Sequence, residues 1–145
     1  MTAMPAIADI IIQKPSVQVW SVIADASTHP YWLGRDSITT YLDDGELVEG
    51  MRFTRVEKGT GLTIEGEVVA LRPGAFLKVR VAPGPDRFCT TAYHLIRVAE
   101  GCALRIVFEV YDTGETQHMY FPEVIEQEWE SNLNRLKGYC EGSNH

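Results

Sequence analysis

The sequence predicts an α+β fold in which a curved antiparallel sheet wraps one long C-terminal helix. Three observations point there. Residues 122–141 place apolar side chains at helical spacing, residues 38–112 alternate apolar and polar with turn signals between the runs, and only one face of those runs is apolar. A sheet with one greasy face needs a cover on that side only, and a single long amphipathic helix supplies it.

Taken in order, residues 7–12 (IADIII) are short and rich in β-branched side chains, which reads as a buried first strand. Lys14-Pro15-Ser16 stops it, and Ser16 is the expected N-cap of a helix over 17–26. Val17, Val19, Trp20, Val22, Ile23 and Ala24 form its wide apolar stripe. Ser27-Thr28-His29-Pro30 breaks that helix, and Tyr31-Trp32-Leu33 suits one further turn before Gly34. Residues 38–42 and 51–56 read as strands, the second closed by the loop Lys58-Gly59-Thr60-Gly61. In 62–71, Ile64, Gly66, Val68 and Ala70 share one face, with Thr63, Glu65 and Glu67 on the other. Gly66 within this strand suits a bend or bulge. Residues 76–81 set Leu77, Val79 and Val81 against Lys78 and Arg80, and 88–98 with 103–112 form a hairpin around Glu100-Gly101.

The closing helix begins with Pro122, whose missing N–H costs nothing in the first turn. Ile125, Trp129, Leu133, Leu136 and Cys140 follow at offsets of four, four, three and four, lining one side. Glu123, Glu126, Glu128 and Glu130 crowd its N-terminal half and Arg135 and Lys137 its other end, which suits the helix dipole. Twenty helical residues make a rod about 30 Å long, roughly the width of a domain of this size. Replacing Trp129 by Ala is expected to cost about 3–5 kcal/mol if the ring is buried.

The 145 residues suit a single domain, 1–145, with a real core. A net charge of −7 argues against a nucleic-acid partner and against an anionic membrane surface. The N-terminal stretch lacks a basic leader and no segment has the length of a transmembrane helix, so no membrane insertion and a cytoplasmic location are expected. Cys89, Cys102 and Cys140 are odd in number and unpaired in spacing, and the four histidines show no metal-ligand spacing. Neither a metal nor another cofactor is expected. Exposed edge strands allow a homodimer without requiring one.

The opening strand, KPSVQVWSVIADASTHPYW, the hairpins and then EWESNLNRLKGYCE resemble the START-like (SRPBCC) superfamily with its helix-grip fold. Within it the chain is most similar to the polyketide cyclase/dehydratase and heat-shock-protein-ATPase-activator-homologue group. Pro15, Val19-Trp20, Trp32, Gly50 before Met51, and Trp129, Leu133, Leu136 and Lys137 carry the likeness. The resemblance implies a cavity between sheet and helix that takes a hydrophobic or aromatic small molecule, lipid- or polyketide-like. It carries no shared catalytic set, because members bind apolar molecules, cyclise polyketides or act as interaction modules.

In such a cavity Ile64, Val68, Val79, Ile106 and Phe108 would form the sheet wall, facing Ile125, Trp129 and Leu133. For residues 88–98 the family pattern turns Thr91 and Tyr93 inward and leaves His94 outside. Phe53 inward carries Arg55 with it, so either Arg55 stands at the pocket mouth with a carboxylate partner or a bulge changes the parity. Arg55 reads as a clamp for a carboxylate or enolate, or as an exposed strand arginine. Tyr93 reads as a phenol that orients a ligand oxygen, or as a core filler. Trp32, with Tyr31 and His29, stands at the entrance as a gate or as ordinary packing, His29 itself reading as a solvated turn residue. His118, Met119 and Tyr120 lie in a loop that can close over the pocket, with His118 a candidate acid or base.

Overall fold

The period-two runs become seven strands of one antiparallel sheet, β1 (Ala6–Ile12), β2 (Ile38–Leu42), β3 (Arg52–Glu57), β4 (Thr63–Arg72), β5 (Phe76–Gly84), β6 (Arg87–Val98) and β7 (Gly101–Asp112). Their spatial order is β1-β7-β6-β5-β4-β3-β2, so β1 and β2 are the edges of a curled half-barrel. Helices α1 (Ser16–Ala24) and α2 (His29–Trp32) lie between β1 and β2, and α3 (Pro122–Glu141) closes the concave side. The computed structural model describes residues 5–34, 38–42, 47–84, 87–112 and 122–142. This is the helix-grip arrangement.

The core is the concave face. Val68, Leu77, Val79, Tyr93, Leu95, Leu104 and Ile106 of the sheet meet Trp129, Leu133 and Leu136 of α3, with Val19 and Ile23 of α1 closing one end. Glycine matters most at Gly66, which pairs with Phe53. A methyl group at Gly66 would come within 2.5 Å of the Phe53 Cε2 atom, so the bare backbone is what lets the ring lie there.

Several expectations change. The helix over 17–26 is shorter. Pro15, extended at φ −57° and ψ 147°, occupies the cap position, and its carbonyl takes the Gln18 and Val19 N–H groups at 2.9 and 3.1 Å. Ser16 is therefore the first helical residue rather than the cap, and its Oγ is buried without a partner. Asp25 ends α1 because its carboxylate accepts the Ser27 N–H at 3.0 Å, drawing the chain into a 3-10 turn, Ala26–Thr28. His29-Pro30 then starts α2 instead of breaking a helix, with Pro30 in the tolerated first turn. The bulge falls between Val68 and Ala70, not at Gly66. Past it, Leu71 pairs with Leu77 and packs on the core while Ala70 pairs with Lys78 on the outer face, which reverses the inward placement of Ala70.

The first strand is buried on one side only. Ala6, Ala8 and Ile12 face the core, while Ile7 and Ile11 stand 41% and 46% exposed. Its free edge is covered by α3 side chains. The Ile7 N–H donates to Glu126 Oε2 at 3.0 Å, the Gln13 N–H donates to Glu141 Oε2 at 2.6 Å, and Lys137 Nζ donates to the Ile11 carbonyl at 2.8 Å. The Gln13 amide first, and then Lys137 Nζ, which also donates to Glu141 Oε2 at 2.7 Å, hold the Glu141 carboxyl below its ordinary pKa. Among the described residues no helix is long and apolar enough to cross a membrane.

Candidate functional site

Parity along β3 decides the site. Phe53 is buried, so Arg55, two residues on, points to the same concave side. No bulge interrupts β3 against β2 or β4. The expectation of an exposed strand arginine fails for that reason, since Arg55 is half-buried, and among the described residues no carboxylate pairs with it. The guanidinium lies 4.8 Å from the centre of the Phe53 ring and stands beside the Tyr93 hydroxyl, and its Nε is shut from solvent with no hydrogen-bond partner. Burial pulls the Arg55 pKa down, while its contact with Tyr93 opposes the shift. An arginine remains charged in such a setting.

Tyr93 stands at the centre of an aromatic trio. Its ring meets Trp32 edge-on at 6.5 Å and Trp129 edge-on at 5.8 Å, arrangements favoured by the ring quadrupoles. Burial raises the Tyr93 pKa, with Arg55 pulling the other way, so the phenol stays protonated at neutral pH. Trp32 is 1% exposed and donates its indole N–H to Thr28 Oγ1 at 3.0 Å, so it is packed beneath α2 and does not swing as a gate.

His29 is buried rather than solvated. Its Nδ1 lies 2.7 Å from Thr40 Oγ1 and its Nε2 lies 2.9 Å from the Ile23 carbonyl. A carbonyl can only accept, so Nε2 carries the proton and Nδ1 takes the Thr40 hydroxyl's hydrogen. Burial, chiefly, lowers the His29 pKa to about 4; the Ile23 carbonyl opposes this and Arg55 adds to it. Thr40 pairs directly with Arg55 across β2 and β3. Thr40 was not singled out from the sequence, and His29 was placed at the entrance as a solvated turn residue. The signal for His29 was available, since it stands three residues before Trp32 and shares its helical face.

The remaining expected wall residues divide. Val68, Val79, Thr91, Ile106 and Leu133 are buried on the concave side, and Ile64, Phe108 and Ile125 are half-buried, the last two packed on the core. His94 faces outward against Phe76, as expected. His118, Met119 and Tyr120 lie outside the described residues. Beneath α3, where the deep hollow was expected, Trp32, Tyr93, Trp129 and Leu133 pack together. An open cleft of about 720 Å³ lies instead at one end, between Gly34, Ile38 and Glu57 on one side and Val124, Glu128 and Asn132 of α3 on the other. On the outer face a broader trough of about 1000 Å³ runs over Asp9, Ile11, Ile96 and Val107. Among the described residues no cluster of His, Cys, Asp or Glu has a metal-binding arrangement.

Residues 13–141 match the family described as Activator of Hsp90 ATPase homolog 1-like protein. Among solved structures, protein CV1439 from Chromobacterium violaceum is 16% identical at a TM-score of 0.76, with 97% of this chain and 100% of that chain covered. Ara h 8.0201 is 9% identical at a TM-score of 0.74, over 97% of this chain and 98% of that one. DynU16, from the dynemicin biosynthetic locus, is 19% identical at a TM-score of 0.71, over 95% of this chain and 47% of that one. At these identities the likeness is one of fold. No curated protein sequence matches the chain.

Proposed function

The chain belongs to the Activator of Hsp90 ATPase homolog 1-like family, and from that premise we propose that residues 1–145 act as one START-like domain binding a hydrophobic or aromatic small molecule, lipid- or polyketide-like, on the concave side of the sheet. The observation that carries this reading is the aromatic Trp32–Tyr93–Trp129 trio, in which the Trp32 indole N–H is already bonded to Thr28. Apolar walls supply affinity and Tyr93 orients the ligand, the division of labour usual in small-molecule sites. The ligand enters through the cleft beside α3, which falls within the usual size range of such sites. Native mass spectrometry of freshly purified protein tests it. A co-purifying small molecule is expected, and a bare chain that also fails to take up any apolar dye would overturn it.

Two other readings have support. The filled space beneath α3, with Ile11 and Ile96 exposed outside at 46% and 61%, favours an interaction module working through its surface, in keeping with the family's name. A cyclase or dehydratase is favoured by the buried Tyr93–Arg55 pair, because a phenol beside a cation can pass a proton. Tyr93→Phe separates binder from enzyme, since binding retained with turnover abolished marks catalysis.

A further inference from the structure

Arg55 is a half-buried cation, its Nε shut from solvent, whose polar neighbours among the described residues are neutral. Tyr93 is a phenol, Thr40 opposite Arg55 is a hydroxyl, and His29 beyond Thr40 is held in its uncharged form chiefly by burial. Among the described residues no ion pair reaches Arg55. Glu57 follows on the same face of β3, but its Oε1 accepts the Thr60 hydroxyl at 3.1 Å. Burying a charge without a counter-charge is among the costliest things a fold can do, and a guanidinium presents a planar fork of donors suited to a carboxylate. Here the Nε–H remains unused.

The strand register connects this cation to the cleft. Ile38 and Glu57, which both line the cleft, pair across β2 and β3, and the next inward pair along the same face is Thr40 and Arg55. A molecule entering at the cleft therefore reaches Arg55 one step further in. We propose that the ligand is an apolar acid, whose carboxylate is taken by Arg55 and whose hydrocarbon body lies against the Phe53, Tyr93 and Trp129 rings. The Tyr93 hydroxyl beside Arg55 donates its proton to the same carboxylate. The rim carries Glu57 and Glu128 as well as Arg135, so the mouth does not gather anions; selection occurs at Arg55.

The inference rests on the binding reading above, and matched probes keep the two apart. Calorimetric titration with 2-naphthoate and with its neutral counterpart 2-naphthalenemethanol compares a carboxylate and an alcohol on one ring system. The intact protein is expected to hold the naphthoate tighter by about tenfold or more, the usual worth of a hydrogen bond to a charged group. Arg55→Met is expected to erase that preference while leaving the alcohol's affinity within about twofold. Arg55→Lys, charged but without the fork, is expected to fall between. Equal binding of both probes to the intact protein, or an undiminished preference in Arg55→Met, overturns the acid proposal and leaves the binding reading standing. No binding of either probe overturns both. Arg55→Met is also expected to melt no lower than the parent, because a lone buried charge is replaced by a side chain of similar length. A clear fall in melting temperature identifies Arg55 as a structural residue and overturns its assignment to a ligand.

Discussion

Between pH 6.5 and about 4 the imidazole of His29 stays neutral in the folded protein, whereas the same group in an unfolded chain takes up a proton. The unfolded state binds more protons in that window, so stability must fall on acidification. It is fully present above pH 6.5, declines toward pH 4 and levels off below, a loss of roughly 3 kcal/mol from this group. Urea titrations at pH 7 and pH 4.5 measure it, and His29→Asn is expected to lose a good part of the dependence; an unchanged slope in the variant would place the effect elsewhere. The sequence did not disclose this burial, because His-Pro is a turn signal and says nothing about what lies over the turn. Arg55 was half legible, since parity with Phe53 pointed inward while its charge pointed outward. Parity prevails because moving one side chain out would require reversing the whole strand. Gly66 belongs to the same neighbourhood. Gly66→Ala is expected to push the Phe53 ring and cost about 1–3 kcal/mol, read from the urea midpoint; a neutral result would mean the ring has room to move.

Among the elements, α3 was the most legible, because a spacing of four, four, three and four admits one conformation. Trp129 is 8% exposed, so Trp129→Ala is expected to cost about 3–5 kcal/mol by chemical denaturation. A cost below about 1 kcal/mol would deny the ring its place in the core. What the spacing could not show is that the polar side of α3 also has work, since Glu126, Lys137 and Glu141 meet backbone groups of β1. Glu126→Ala frees the Ile7 N–H and is expected to cost about 1 kcal/mol and to speed amide exchange at Ile7. Unchanged exchange there would mean that water serves that amide equally well. Strand boundaries were read within a residue or two except in β5, which runs three residues past the expected end to Gly84, and the bulge in β4 was misplaced, because VVAL offers the same apolar surface in either register.

For the whole molecule, the fold class followed from element order and periodicity, while the filling of the concave side did not. Whether large side chains meet across a curved sheet depends on curvature, and alternation carries no record of that. The outer face is also greasier than the expected charged wall, since Ile7, Ile11 and Ile96 are exposed at 41%, 46% and 61%. With a pI near 5.0, net repulsion between molecules vanishes in the range where His29 weakens the fold. Light scattering is therefore expected to rise sharply as pH falls from 7 to 5, and Ile96→Ser is expected to reduce that rise. Equal scattering from both proteins would clear the outer face of blame. The clasp between β1 and α3 has a further bearing on biosynthesis. Ile7 leaves the ribosome before Glu126, which completes its backbone 119 residues later. Until α3 has emerged, the nascent sheet carries an open strand margin and an uncovered greasy face, so both are shielded late in the synthesis of this domain.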